Sequence, residues 1–308
     1  MRQLLGTLIL LCMILCGAFP CHPGGLPHNE CERQFAFAES LFEESDFYRA
    51  IGEYKRLIFL CPSSETLCEK AFFQIGASYF EAQQWQKARE AFDDFLHRFP
   101  GSTKVGDALY FKGMSEKHLS LHEEALNTFT RISETQTGEA REKAIYESAL
   151  ILVDREQWKR AGEMFARIPG GSTYYDSAVI FSTGLENIGN LPHKSPAVAG
   201  SLAAVLPGAG HLYTERPRDA LVAFLLNGVF IWSAIELFED DKYVTGGIVT
   251  FFELGWYTGN IYSAVGSAHK FNKGTRETFL QGLKDRAHLS YFFDRDTASN
   301  GIMLSMSF

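Results

Sequence analysis

Between residues 33 and 169, small and apolar side chains return at a near-constant interval. Ala38, Leu41, Ala50, Tyr54, Leu57 and Pro62 align with Gly76, Tyr79, Ala88, Phe92, Phe95 and Pro100 at an offset of 38. A third copy carries Gly113, Ala125, Phe129 and Ile132, and a fourth carries Ala149, Leu152, Ala161, Phe165 and Ile168. The central alanines Ala50, Ala88, Ala125 and Ala161 are therefore 38, 37 and 36 residues apart. Within each copy the apolar positions recur three and four apart, which predicts two amphipathic helices per copy. The alanines mark where the two helices approach closely, and Tyr54, Phe92, Phe129 and Phe165 fill the space between copies. One such pair cannot bury its apolar face alone, so a fixed period of this size predicts a stack. Residues Tyr174–Ile188 read as one more helix, capping the stack, and the run from Gly189 to Pro196 breaks it with a glycine and two prolines.

The pattern then changes. From Ala220 to Ile235 there is no charged residue, and from Tyr243 to His269 the only one is Glu253. Both runs predict helices able to cross a bilayer, joined by the acidic turn Glu239-Asp240-Asp241-Lys242. Gly255, Gly259, Ser263 and Ser267 form a stripe of small residues that would let helices pack closely in lipid. With only two spans, Arg216, Arg218, Lys270, Lys273 and Arg276 would lie outside, against the positive-inside rule. A third span over 196–213 removes the conflict, its prolines allowing a re-entrant segment instead. Glu253 stands out because an ionisable group inside a span is costly unless paired, with Asn227 or His211 as candidate partners. It is read either as a functional carboxyl or, with greater weight, as a polar contact between helices.

Charge divides the chain the same way. Of 37 acidic and 29 basic residues, 26 and 18 fall within residues 22–190, so the whole net charge of −8 lies there. That balance excludes nucleic-acid binding by the repeats, since phosphate contacts need a basic face. Met1-Arg2, the apolar run from Leu4 to Leu15 and the small residues Cys16, Gly17 and Ala18 form a secretory signal, with cleavage expected after Ala18. Export leaves Cys21, Cys31, Cys61 and Cys68 as a disulfide set of three possible pairings. Cys21–Cys31 and Cys61–Cys68 are favoured because each closes a short loop; a zinc site using His22 and His28 with two thiolates is the competing reading. Residues 301–308 alternate apolar and small side chains like a final barrel strand, but one strand builds no barrel, so they read as tail.

The repeated positions carry a resemblance to the tetratricopeptide repeat family: a small residue and an aromatic three apart, then a small residue and an aromatic four apart, then a helix-ending proline. The long period and the phrase FLHRFPGSTKVGDALYFKG resemble the periplasmic sub-type of envelope-assembly proteins. Pro207-Gly208-Ala209-Gly210-His211-Leu212-Tyr213 is similar to the Pro-Gly-x-Gly-x-x-Tyr motif at the entry of small bacterial hydrophobic hairpin domains. The tyrosine there would anchor at the membrane interface.

These resemblances imply an all-α fold, a helical solenoid followed by a transmembrane helical hairpin. The expected organisation is a signal peptide over 1–18, a cysteine-containing linker over 19–32, repeats with a capping helix over 33–190, membrane helices over 196–270 and a tail over 271–308. The implied function is a non-catalytic, membrane-tethered scaffold of the bacterial inner membrane whose periplasmic repeats capture a protein or peptide. Gln74, Ser78, Lys112 and Glu147 are the groove candidates, being first-helix residues that the packing pattern leaves over. No nucleophile elbow, HExxH, redox CxxC or phosphate loop is present, so neither a catalytic residue, a metal nor a cofactor is expected. The alternative is a small transporter or assembly-factor subunit centred on Glu253, with the repeats as docking accessory.

Overall fold

The computed structural model describes residues 27–296, with side chains to Ala287; the signal segment, Cys21 and the 301–308 tail lie outside the described residues. The chain is helical throughout the described region and forms two compact units, Met1–Ile151 and Leu152–Phe308.

In the first unit, α1 (His28–Glu43), α2 (Phe47–Leu60), α3 (Glu65–Glu81), α4 (Trp85–Arg98), α5 (Val105–His118), α6 (His122–Thr135) and α7 (Glu139–Asp154, its last three residues in the second unit) follow as antiparallel pairs. Helix α1 begins inside the stretch expected as linker. Ala50, Ala88 and Ala125 are fully buried, as are Tyr54, Phe92 and Phe129. The rings rest on the small residue of the preceding helix: a β-carbon at Gly76 would lie 2.8 Å from Phe92, and one at Gly113 would lie 2.9 Å from Phe129. The residue must be small because the ring occupies the space a side chain would need.

Each turn between paired helices ends in one left-handed residue that is not glycine. Ser45, Gln83, Ser120 and Glu156 have φ of 62°, 56°, 60° and 57°, and they recur at the repeat period. The following amide closes each helix end, Asp46 N–H donating to Leu41 O at 2.8 Å and Gln84 N–H to Tyr79 O at 2.9 Å.

The disulfide joins Cys31 to Cys61 across 30 residues, neither of the favoured pairs. The reason is the helix hairpin, which brings the start of α1 beside the end of α2. Closing that loop stabilises the pair by about 3–4 kcal/mol on the loop-entropy account. Cys68 is a buried thiol donating to Cys61 O at 3.4 Å, and burial pushes its pKa up. With Cys31 in a disulfide, the zinc reading of the His22 and His28 segment loses a ligand.

The second unit holds α8 (Trp158–Phe165), α9 (Tyr175–Glu186), a 3-10 turn Ile188–Asn190, α10 (Pro196–Val205), α11 (Ala209–Tyr213), α12 (Pro217–Glu239) and α13 (Tyr243–Asp296). The break at 189–196 lies inside this unit. Residues 271–296, expected as tail, continue α13. Their inner face packs on α9, where Leu283 meets Gly184, and Ser177 Oγ donates to Ala287 O at 2.9 Å. Ala161 and Phe165 are buried, the latter stacked on Phe181 at 4.8 Å.

The expected span over 196–213 is two short helices with Leu206–Gly208 between them, so no continuous helix crosses there. Ten residues of α10 rise about 15 Å, half a hydrocarbon core. Gly208 takes φ of +89°, and a β-carbon there would strike Ala220 O at 2.3 Å. At Gly210 it would strike Ala199 O at 2.1 Å and Ala264 Cβ at 2.7 Å, so this glycine seats α11 against α10 and α13. Tyr213 Oη accepts from Ser195 N–H at 3.1 Å, with the Lys194 ammonium 5.1 Å over its ring. It locks the motif rather than standing free as an anchor.

Among the described residues, Pro217–Glu239 is the one helix long and apolar enough to cross a membrane. The glycines, threonines and Glu253 of the first half of α13 make that segment less apolar than its shortage of charges suggested. The stripe also behaves differently from expectation: Gly255 and Gly259 face open space, and close approach is carried by Gly200, Gly208 and Gly210.

Left-handed non-glycine residues cost about 1–2 kcal/mol. Gln83→Gly is therefore expected to raise the stability of the repeat array by about 0.5–1 kcal/mol in chemical denaturation, after the added chain entropy of glycine is subtracted. A loss of stability would show that the Gln83 side chain, not its backbone, sets the turn.

Candidate interaction surface

The four expected groove residues are not a free set. Ser78 is fully buried, its hydroxyl donating to Gln74 O one turn back at 2.7 Å. This position of α3 faces the packed side of the helix, so Ser78 belongs to the core. Gln74 Nε2 donates to Glu39 Oε1 at 2.6 Å, linking α3 to α1. Glu147 of α7 pairs with Lys117 of α5 at 2.7 Å. Lys112 pairs with Asp93 of α4 and stands 3.9 Å from Glu116. Gln74, Lys112 and Glu147 therefore act as polar clamps between consecutive helix pairs.

Two of these clamps lean on buried titratable groups. Tyr54 donates to Glu39, and burial first, then that hydrogen bond, pushes the phenol pKa well above its usual range. Glu116 is 3% exposed and accepts from Thr128 Oγ1 at 2.7 Å. Burial raises its pKa, against the lowering effects of Thr128, Lys112 and Arg89. His118 stacks flat on Trp85 at 4.1 Å, and burial followed by the neighbouring Lys117 charge lowers its pKa.

The residues that sequence reading missed lie on the first helices of the pairs. Phe35, Phe73 and Tyr110 occupy equivalent positions, and each ring carries a lysine. Lys70 Nζ sits 6.0 Å from the Phe35 centroid, Lys104 Nζ 4.6 Å from Phe73 and Lys143 Nζ 3.7 Å from Tyr110. Each lysine comes from the next pair, Lys104 from the N-cap of α5. None of the three has a carboxylate partner among the described residues. The row was visible in the sequence as aromatics at offsets of 38 and 37, with lysines 35, 31 and 33 residues later. A lysine over an aromatic face gains about 0.5–1 kcal/mol at an exposed site and keeps its charge available. Asp107, one exposed acid, sits between Lys70 and Lys143 at the corresponding helical position.

In the second unit, Asn227 and Glu253 are both buried. Asn227 Nδ2 donates to Ala223 O at 2.6 Å, while its Oδ1 and both Glu253 oxygens have no hydrogen-bond partner among the described residues. Neither Asn227 nor His211 is bonded to Glu253; His211 Nε2 lies 3.0 Å from Ser263 Oγ instead. No three His, Cys, Asp or Glu side chains converge on a metal position among the described residues.

Residues 70–102, from α3 through α4 and the turn beyond, match the tetratricopeptide repeat family. Among solved structures, a tetratricopeptide repeat protein from Parabacteroides merdae is similar at 16% identity and a TM-score of 0.44, over 83% of this chain and 99% of that one. Comparison with curated proteins gives no match. The chain thus carries a tetratricopeptide-type helical repeat, continued by its own period through the neighbouring helix pairs.

Glu116 supplies a pH test. Its folded pKa is raised, so its contribution to stability is present at low pH and is lost as pH rises through that value. Glu116→Gln is expected to raise the melting temperature of the full chain by a few degrees at pH 7. The gap should close as pH falls below the ordinary carboxylate range, where the carboxyl is protonated in both states; a gap that widens on acidification would show that Lys112 and Thr128 outweigh burial.

Proposed function

We propose that the protein is a non-catalytic interaction scaffold of the bacterial cell envelope, exported and tethered to the inner membrane by its second unit, whose repeats hold a protein or peptide. The observation that carries this reading is the row of Lys70, Lys104 and Lys143 over Phe35, Phe73 and Tyr110. Helical arrays present such faces to extended segments or partner helices. Amines without carboxylate partners, held in place by the rings beneath them, suit a docking segment that bears carboxylates. The signal-like N-terminus, the Cys31–Cys61 bridge and the apolar α12 support an exported, membrane-tethered chain. A second reading, a membrane activity centred on Glu253, is favoured by the two unpartnered oxygens of that buried carboxyl.

A photo-reactive residue at Asp107, within the lysine row, separates the two when compared with one at Tyr48, which is 86% exposed on α2. The scaffold reading expects one defined protein adduct from position 107 in cells. Changing Lys70, Lys104 and Lys143 to glutamate should abolish it and Glu253→Gln should leave it intact. Adducts from Tyr48 alone, or a position-107 adduct indifferent to charge reversal but lost with Glu253→Gln, would sink it.

A further inference from the structure

The stretch between α9 and α12 turns back on itself. Ser195 N–H, at the N-cap of α10, donates to Tyr213 Oη at the end of α11 at 3.1 Å, and Lys194 Nζ pairs with Glu215 at 3.1 Å. The two ends of this segment therefore lie at one level, beside Asn272 of α13, which exchanges hydrogen bonds of 2.8 and 2.9 Å with the Lys194 backbone. From there α10 runs antiparallel to α13. A β-carbon at Gly200 would lie 2.8 Å from Val265, and further along Ala204 O accepts from Tyr257 Oη at 3.1 Å. Helix α11 then returns, with Gly210 against Ala264 and His211 Nε2 3.0 Å from Ser263 Oγ.

These contacts set depths. Helices α12 and α13 are antiparallel, with Phe238 against Gly246 at the turn and Arg216 Nη1 donating to Ser267 Oγ at 3.1 Å at the other end. Gly246 and Ser267 are 21 residues apart, a rise of about 32 Å, close to a hydrocarbon core of about 30 Å. Tyr257 lies about 15 Å short of Ser267, so the far end of α10 reaches half-way. Side chains around this band are apolar and face outward, Val205 at 84% exposure and Phe251 at 74%. Charges gather at its two edges, Arg216, Arg218 and Lys270 at one and Glu239, Asp240 and Asp241 at the other. Past Lys270 the same helix reaches α9, where Leu283 meets Gly184 and Ser177 donates to Ala287 O, and Arg276 pairs with Glu156 at 3.3 Å.

We infer that residues 196–213 form a re-entrant segment that dips to mid-bilayer and leaves on the side it entered, so that the membrane is crossed twice, by α12 and by the first half of α13. The helix pair α8–α9, both ends of the dip and the far half of α13 then share one side, and the acidic turn Glu239–Lys242 lies on the other. Three spans would satisfy the positive-inside rule. The contacts oppose them, because a spanning segment would part Ser195 from Tyr213 by the thickness of the bilayer. The bend at Leu206–Gly208 keeps Leu206 N–H on Leu202 O at 2.9 Å and Ala209 N–H on Leu206 O at 3.0 Å, and Ala220 covers Gly208, as irregular backbone at that depth requires. The basic flank thus stands with α8 and α9, and packing rather than charge fixes the side of the chain end. The inference rests on the reading, proposed above, that the second unit is embedded in a membrane.

The test adds single cysteines to the full chain with Cys21 and Cys68 changed to serine, and treats cells with a membrane-impermeant maleimide before and after the membrane is opened. Asn190→Cys before the dip, Glu215→Cys after it and Lys273→Cys beyond the second crossing should all label without opening. Asp240→Cys should label only once the membrane is opened. Val205→Cys should resist labelling in both states, although the protein itself leaves that position exposed, because lipid covers it. Glu215→Cys reacting from the side opposite to Asn190→Cys would establish a third span and overturn the re-entrant segment. Asp240→Cys reacting with the other three while Val205→Cys stays protected would overturn the double crossing. If all five react alike, Val205→Cys included, the membrane reading itself falls. The same grouping with the two states exchanged would uphold the topology and overturn export of the repeats.

Discussion

A ring laid on a residue without room for a side chain is the contact on which the repeat array depends. Phe92 on Gly76 and Phe129 on Gly113 set the distance between the helices of each pair, and that distance decides which neighbours the next helix can reach. Because each ring is fully buried, it contributes about 1.5–3 kcal/mol of apolar transfer at a position where a larger partner would force the pair apart. The polar clamps depend on this spacing. Glu39 meets Gln74, and Lys117 meets Glu147, only because successive first helices are held at hydrogen-bonding range. The second unit applies the same rule with other atoms, since Gly208 and Gly210 admit backbone oxygens rather than rings.

The repeat array was legible from sequence because its determinants are periodic and local. Ala50, Ala88, Ala125 and Ala161 announce a helix contact whatever surrounds them, and all four are fully buried. What was not legible depended on where the ends of helices meet. The Cys31–Cys61 bridge spans 30 residues, and a preference for short loops points elsewhere. Ser78 carries a hydroxyl, so it read as surface, yet its own helix satisfies that hydroxyl and leaves the residue free to be buried. The lysine row went unseen because a cation over a ring joins one repeat to the next, whereas the period was read one copy at a time.

The hydrophobic half shows how far composition alone reaches. Sixteen uncharged residues were enough to mark α12, but the stripe at Gly255, Gly259, Ser263 and Ser267 has two explanations with the same spacing. Small residues either admit a helix backbone or leave a hollow. A partner at Gly210 and open space at Gly259 decide between them, and only coordinates hold that information. The same holds for polar residues. Asn227 and Glu253 looked like candidate partners for one another, yet Asn227 turns its amide to Ala223 O within its own helix.

Buried polar groups in this unit are therefore of two kinds, and the distinction bears on function. Ser267 and Thr214 donate to the carbonyl one turn back, so burial costs them little. Asn260 and Glu253 have longer side chains that reach past the local backbone and find no partner among the described residues. A sequence optimised only for packing would place alanine there, as it does at the neighbouring Ala264 and Ala268, both fully buried. The amide and the carboxyl lie on the same buried seam, seven residues apart, and set this stretch of α13 apart from the alanine-packed stretch that follows it.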